Sequence, residues 1–204
     1  PSAGEAVALA KTAAAACASF EELTAAVAAF TACPLRHGAR NTVFADGIAD
    51  ARLLVIGEAP GRDEDSIGKP FVGRAGQLLD RMLAAIGRSR TENTLISNVV
   101  YWRPPGNRAP TQVEIEICRP FVERLIALTK PRAIVLAGGV PMQALLGTAG
   151  IMRSRGQWRD LELETGERFA ALPIFHPAFL LRQPEQKRLA WQDMLSLAAR
   201  LRDD

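Results

Sequence analysis

One of the two histidines in the chain, His176, directly follows the apolar run Ala170–Ile174, which is typical of a buried strand. An imidazole at a strand end can transfer a proton or donate a hydrogen bond near neutral pH, although a lone histidine is more often structural. The residues after it form an apolar tip, Phe179-Leu180-Leu181, followed by Arg182. This tip either packs within the fold or projects towards a ligand.

A second chemically unusual segment, 57–73, follows the apolar run Leu53–Ile56. Its glycine spacing matches neither a dinucleotide-binding fingerprint nor a P-loop. Four acidic residues in it could bind Mg²⁺, but a second acidic cluster at another strand end is missing, and a solvated charge run is the alternative. A long loop that contains Gly, Pro and an interior aromatic residue, Phe71, is costly to order, which favours a functional role.

The elements that position these residues follow from the hydrophobic pattern. Continuous apolar runs predict four strands that are buried on both faces, at 53–56, 94–97, 133–136 and 170–174. Amphipathic stretches and capping residues predict helices at 75–86, 111–128, 141–146 and 184–201, and two Ala-rich helices within 5–30. The segment 160–170 is predicted to be a hairpin, and 31–50 a loop. The fold class is therefore α/β, with three α/β/α layers and a central, mainly parallel four-stranded sheet.

In such folds ligands bind beyond the carboxyl ends of the strands. Four loops should therefore meet at one edge of the sheet: 57–73, 98–110, 137–141 and 175–183. These loops contain the residues with unusual chemistry. We expect the functional site at this edge.

The composition bounds the class of protein. Of 204 residues, 48% are hydrophobic and 23% charged, which is the balance of one globular domain. Arginine outnumbers lysine by 21 to four at a net charge of +3; arginine suits phosphate, but a compositional bias explains the count equally well. Acidic residues interrupt the Ala-rich start, no run approaches the roughly 20 apolar residues of a membrane span, and three cysteines are too few for a disulfide scaffold. We expect a single cytoplasmic domain, 1–204, without membrane contact, on which residues 1–30 pack as Ala-rich helices.

Three motifs occur in order along the chain. The first consists of GEAPG at 57–61 and PFVGRAGQLL at 70–79, the second of SNVV at 97–100 and RPPGNR at 103–108, and the third of HPAFLLR at 176–182. Together they resemble the conserved segments of family 4 uracil-DNA glycosylases, and the similarity runs from about 33 to 195. The combination is highly specific, although each motif alone is only moderately so.

The resemblance implies a repair enzyme that removes uracil from DNA. Phe71 should stack on the extruded base, and Asn98 should accept a hydrogen bond from N3–H and donate one to O4. Glu64 should lie against C5 and leave no room for a thymine methyl group. His176 should donate to O2 as the base leaves, and the Glu58 carboxylate should orient water or balance the cationic sugar. The implied catalytic residues are Glu58, Asn98 and His176, and the implied substrate-binding residues are Gly57, Ala59, Glu64, Phe71, Asn98 and His176.

The partner that the resemblance implies is uracil-containing DNA, single- or double-stranded, bound by a monomer. Phosphate contacts are expected from Asn107, Arg108, Arg153 and Arg155. The tip Phe179-Leu180-Leu181, with Arg182, should act as a wedge in the base stack. The implied pocket contains no lysine suited to a Schiff base, so we expect hydrolysis without lyase activity.

Two other functions are compatible with parts of this pattern. A non-catalytic DNA-binding module would use the arginines alone, but it would not need Glu58, Phe71, Asn98 and His176 together. A relative that traps DNA covalently would carry a histidine on a basic insertion between 98 and 111. That segment is short here and contains no histidine.

The chain departs from the resemblance at the cofactor. Family 4 enzymes hold a four-iron cluster with four cysteines, and only the second and fourth positions match here, as Cys33 and Cys118; Phe30 and Trp102 stand at the other two. Two thiolates cannot hold such a cluster. We expect no cofactor and no metal, the alternative being a zinc site of these two cysteines with Cys17 and His37.

Overall fold

The computed structural model describes residues 1–202. Across these residues six strands form one sheet in the order β1-β3-β2-β4-β6-β5. The strands are β1 Ala45–Gly47, β2 Leu53–Gly57, β3 Thr94–Asn98, β4 Ala133–Ala137, β5 Arg159–Glu162 and β6 Arg168–Ile174.

The four predicted strands are confirmed as the parallel centre of the sheet, in the order β3-β2-β4-β6. The predicted number of strands was wrong, because one antiparallel strand extends each edge. On one side β1 pairs with β3, and on the other β5 pairs with β6 as the predicted hairpin. With only three residues, β1 is too short to show an apolar period, and its segment therefore looked like a loop.

Nine α-helices lie within residues 1–202: α1 Ala3–Ala15, α2 Phe20–Ala29, α3 Arg62–Ile67, α4 Arg74–Ala84, α5 Gln112–Thr129, α6 Gly139–Leu146, α7 Ile151–Ser154, α8 Pro177–Arg182 and α9 Lys187–Arg200. The long helices agree with the prediction to within about three residues. The short helices α3, α7 and α8 were missed, since four to six residues do not reveal a helical period.

Side chains alternate between the two faces of the sheet along each strand, and helices cover both faces, so that the fold has three layers. Leu54 and Ile56 belong to the core cluster that also contains side chains of α1, α2 and α5. Leu53 and Val55 point to the opposite face, where α4 and α9 contribute Leu79, Leu83, Met194 and Leu197. Because successive side chains alternate between faces, continuous apolar strands require helices on both sides. The predicted α/β/α layering is confirmed.

The N-terminal helices pack against α5. Ala6, Ala10 and Ala14 are all buried, and they lie four residues apart on the side of α1 that packs against α5. Small side chains at that spacing let the two helices approach closely. Within residues 1–202, no helix combines the length and apolar character that crossing a membrane requires.

Aromatic side chains fill the core beneath the start of α5. The Phe30 ring packs edge-on against Phe121, with centroids 5.0 Å apart. Trp102 is fully buried and donates from Nε1 to Thr42 Oγ1 at 2.9 Å. Cys33 and Cys118 are buried in the same cluster. The space around Cys33 and Cys118 is therefore filled by other side chains of the core.

Replacement of Trp102 by alanine should lower the free energy of unfolding by about 3–5 kcal/mol, because it opens a cavity and removes the partner of Thr42. Trp191→Ala is the matched control: that tryptophan is 45% exposed, and its loss should change stability by no more than about 0.5 kcal/mol. Urea unfolding followed by circular dichroism measures both. Equal losses would contradict the assignment of Trp102 to the core.

Candidate active site

The parallel pairing of β2 with β3 brings the first two motifs together. Gly57, the last residue of β2, lies directly opposite Asn98, the last residue of β3. His176 follows the end of β6, which is the second strand from β2 in the sheet, and it lies at the same edge. These residues therefore lie at one edge of the sheet, because three buried strands end there.

Gly57 leaves room for two of the candidate side chains. A Cβ atom built on Gly57 would lie 2.4 Å from Phe71 Cζ and 2.6 Å from Asn98 Oδ1. Any larger residue would displace the phenylalanine ring or the amide. The glycine is therefore required by the close approach of these groups.

The backbone at Phe71 is strained and is held by its neighbours. Phe71 has a φ of 54°, a left-handed conformation that a non-glycine residue adopts only at a cost of about 1–3 kcal/mol. Gly76 packs against it, since a Cβ there would lie 1.9 Å from the Phe71 carbonyl oxygen. Arg90 donates to the carbonyl oxygens of Pro70 and Phe71 at 2.8 and 2.6 Å.

Arg90 also forms ion pairs with two carboxylates, which hold its side chain in place. Its Nη1 lies 3.1 Å from Asp46 of β1, and its Nε lies 3.0 Å from Asp80 of α4. The side chain is mostly buried. Sequence reasoning missed this residue, because its acceptors lie 10 to 44 positions away and no local pattern marks such a contact.

Glu64 organises the loop around Phe71. Its Oε1 accepts from the Gly61 N–H at 3.0 Å, and its Oε2 accepts from the N–H groups of Val72 and Gly73, both at 2.8 Å. Both carboxylate oxygens are therefore committed to the backbone. The carboxylate is a structural part of the site wall, whatever further contact it makes.

Asn98 is the outstanding polar group of the site. Its side chain is 2% exposed, and its Oδ1 has no hydrogen-bond partner among residues 1–202. A buried acceptor without a donor costs about 1–3 kcal/mol, and most buried polar atoms in proteins have a partner. The amide is positioned beside the Phe71 ring, where a ligand with an N–H group could satisfy it.

His176 is held as a neutral imidazole with a defined tautomer. Its Nδ1 accepts from the Ala178 N–H at 3.0 Å, so that the ring proton is on Nε2 and is available for donation. Burial lowers the pKa of His176 to about 4, and the positive charge of Arg182 contributes to the lowering, while Glu64 acts in the opposite direction. The ring stacks on Phe71 at 5.6 Å between centroids.

His176 and Glu58 share a cavity of about 450 Å³ at the carboxyl edge of the sheet. Its walls include the start of α6, the Gly150-Ile151 segment and Phe179. Burial raises the pKa of the Glu58 carboxyl group. A larger cleft, about 690 Å³, lies between α1, α5 and the β5–β6 hairpin, but none of the candidate catalytic residues lines it.

The residues expected at phosphate fall into two groups. Arg108 forms two hydrogen bonds of 2.9 Å with Glu114, Asn107 accepts from Arg103 at 2.6 Å, and Arg155 forms two hydrogen bonds with the buried Asp193 at 2.9 and 2.7 Å. The polar groups of these side chains already bind other residues of the protein. Arg155 in particular stabilises the fold. Arg153 and Arg182 are exposed near the cavity.

The apolar tip is helix α8, and its three residues differ in exposure. Leu180 is 1% exposed and packs with Leu78, Phe175 and Ala190. Phe179 and Leu181 are partly exposed. A helical turn directs every third or fourth residue inwards, and Leu180 is that residue here.

The structure favours none of the metal sites considered. Over residues 1–202, no group of three or more His, Cys, Asp or Glu side chains is arranged to hold a metal ion. The acids of the 57–73 loop serve the backbone instead: besides Glu64, Asp65 accepts from the N–H groups of Arg40 and Asn41 at 2.8 and 3.0 Å.

Comparison with known proteins agrees with this geometry. A family model described as the uracil DNA glycosylase superfamily matches residues 44–195. The chain is 36% identical over 166 residues to the type-4 uracil-DNA glycosylase of Thermotoga maritima, covering 80% of this chain and 85% of that protein. It is 37% identical over 172 residues to the enzyme of the same name from Archaeoglobus fulgidus, covering 82% and 85% respectively.

The imidazole of His176 should titrate near pH 4 rather than at the usual value of 6.5, because burial and Arg182 disfavour its charged form. Above pH 6.5 the contribution of this group to stability is fully present, and it is lost as the pH falls towards 4, since the unfolded chain then binds the proton first. NMR titration of His37→Gln, which leaves a single histidine, measures the pKa without ambiguity. A midpoint near 6.5 would contradict the buried, neutral imidazole.

Proposed function

The chain belongs to the uracil DNA glycosylase superfamily, and we propose that it hydrolyses the N-glycosidic bond of uracil in DNA after the nucleotide has been flipped into the pocket, as the first step of base excision repair. The observation that carries the proposal is the unpaired Oδ1 of Asn98, buried beside the Phe71 ring. An empty acceptor at that position matches the N3–H of uracil.

The amide also accounts for the choice of base. Asn98 accepts from N3–H through Oδ1 and donates to O4 through Nδ2. Cytosine presents the reversed pattern at these positions, and it would leave the buried oxygen facing another acceptor. Sites that hydrogen-bond a substrate reject analogues strongly when their own polar groups remain unpaired.

The shape of the pocket also contributes to the choice of the base. Phe71 offers its ring for stacking, and the backbone of Gly57 and Ala59 forms the adjoining wall. We assign to Glu64 the exclusion of a 5-methyl group. The three hydrogen bonds that it accepts from the loop support this role, because they hold the carboxylate in one place.

His176 stabilises the departing base. Charge develops on O2 of uracil as the glycosidic bond breaks, and a neutral imidazole can donate from Nε2 to that oxygen without transferring a proton. The depressed pKa supports this role, because it keeps the ring neutral throughout the physiological range. A donor that is already positioned needs no reorganisation in the transition state.

Glu58 acts on the sugar side of the bond. It shares the cavity with His176, and its carboxylate orients the attacking water or balances the positive charge of the oxocarbenium-like sugar. The raised pKa makes the carboxylate a better base. Among the described residues, no lysine lines the cavity, which supports a hydrolase without lyase activity.

DNA is held at the rim of the cavity. Arg153 and Arg182 are exposed there and suit phosphate, and the partly exposed Phe179 and Leu181 suit unstacking of the flipped nucleotide. We propose that the protein acts on DNA as a monomer. The three cysteines are free thiols, as the reducing cytoplasm would keep them.

Excision of uracil from a single-stranded oligonucleotide tests the proposal. Asn98→Ala and His176→Ala should each lower the single-turnover rate by about 10²–10³, the usual effect of removing one preorganised donor or acceptor. His37→Ala is the matched control, since His37 does not line the cavity. Wild-type protein that retards uracil-containing DNA in a gel without producing alkali-labile sites would be a binding module, and the proposal would fail.

We propose further that the protein works without an iron–sulfur cluster. Phe30 and Trp102 occupy the two positions at which the resemblance calls for cysteine, and both are packed into the core around Cys33 and Cys118. A cluster does not fit these residues, because the first and third of its four ligand positions are occupied by apolar side chains.

Freshly purified protein should therefore be colourless, without absorbance near about 400 nm, and should contain no stoichiometric metal. Absorbance and elemental analysis measure this on the same sample that is assayed for excision. Brown protein with about four irons per chain, or one tightly bound zinc, would contradict the expectation.

A further inference from the structure

Large apolar side chains remain exposed at six positions within residues 1–202: Leu9, Ile67, Val113, Met152, Trp191 and Leu195. Met152 is 56% exposed and differs from the others in its surroundings. The two residues before it, Gly150 and Ile151, line the cavity that contains His176 and Glu58. None of the other five is adjacent in sequence to a residue that lines this cavity.

The segment that carries Met152 is held firmly. Immediately after α7, Arg155 forms its two hydrogen bonds with buried Asp193 of α9. The Gly156 N–H donates to the Pro173 carbonyl oxygen of β6 at 2.8 Å, and Gln157 Nε2 donates to the Arg153 carbonyl oxygen at 3.0 Å. A side chain presented on such a support loses little conformational entropy when it makes a contact.

A free cation lies next to the exposed methionine. Arg153 is exposed and forms no ion pair within the described part of the chain. A Cβ atom built on Gly150 would lie 3.7 Å from Arg153 Nη2, so the guanidinium group is beside the cavity wall. An apolar side chain paired with a cation repeats the arrangement of Leu181 and Arg182 on α8.

We propose that Met152 is a second wedge, which inserts into the base stack of duplex DNA beside the flipped nucleotide while Arg153 holds the adjacent phosphate. Methionine is flexible and polarisable, and it is among the side chains that insert between base steps. The inference rests on the proposed function, because it takes DNA as the ligand at this cavity. It also explains why a large apolar side chain is exposed at this rim.

The test compares duplex with single-stranded substrate, since only the duplex has to be unstacked. Met152→Gln keeps the length of the side chain but not its apolar character, and it should lower the ratio of duplex to single-strand excision rates by at least about fivefold. Met152→Leu should restore the ratio. Leu9→Ala, which removes an exposed apolar side chain from α1, should leave the ratio at the wild-type value.

A second readout does not depend on catalysis. In a duplex with 2-aminopurine beside the uracil, binding of wild-type protein should raise the fluorescence as stacking is lost, and Met152→Gln should raise it less. An unchanged ratio, or equal losses on both substrates, would overturn the assignment. If wild-type protein excises uracil from neither substrate, the proposed function fails, and the fluorescence comparison alone decides the role of Met152.

Discussion

The register between β2 and β3 is the constraint on which the site depends. It places Gly57 opposite Asn98, and the absence of a side chain at 57 lets the Phe71 ring and the Asn98 amide occupy the same small volume. A shift of one residue would turn every side chain of the strand to the other face. The close approach of Phe71 and Asn98 and the continuity of the core are therefore consequences of one pairing.

Polar groups in this site are controlled by desolvation more than by ion pairs. Burial raises the pKa of Glu58 and lowers that of His176, so that both shifts favour the neutral form. The Ala178 N–H then selects the tautomer of the imidazole. The environment of the two groups is thus set by burial in the fold more than by a neighbouring charge.

The sequence was sufficient for those features that depend on local patterns. Continuous apolar runs predict the central strands, and the rule that ligands bind at the carboxyl edge predicts that Asn98 and His176 lie at the same edge of the sheet. Contacts between residues that are far apart in the sequence could not be predicted from it. Arg155 is a plausible phosphate ligand by sequence, but it binds Asp193, 38 residues away. The sequence also left open whether Leu180 packs or projects, because a helix of six residues has no readable period.

Arg90 has a consequence for how such a chain can change over time. One guanidinium group joins the strained Phe71 backbone to β1 and α4 through four acceptors. A substitution at 90 leaves all of them without a donor at once, whereas a substitution at Asp46 or Asp80 removes only one. The effects of mutations at Asp46, Asp80 and Arg90 on stability should therefore be non-additive.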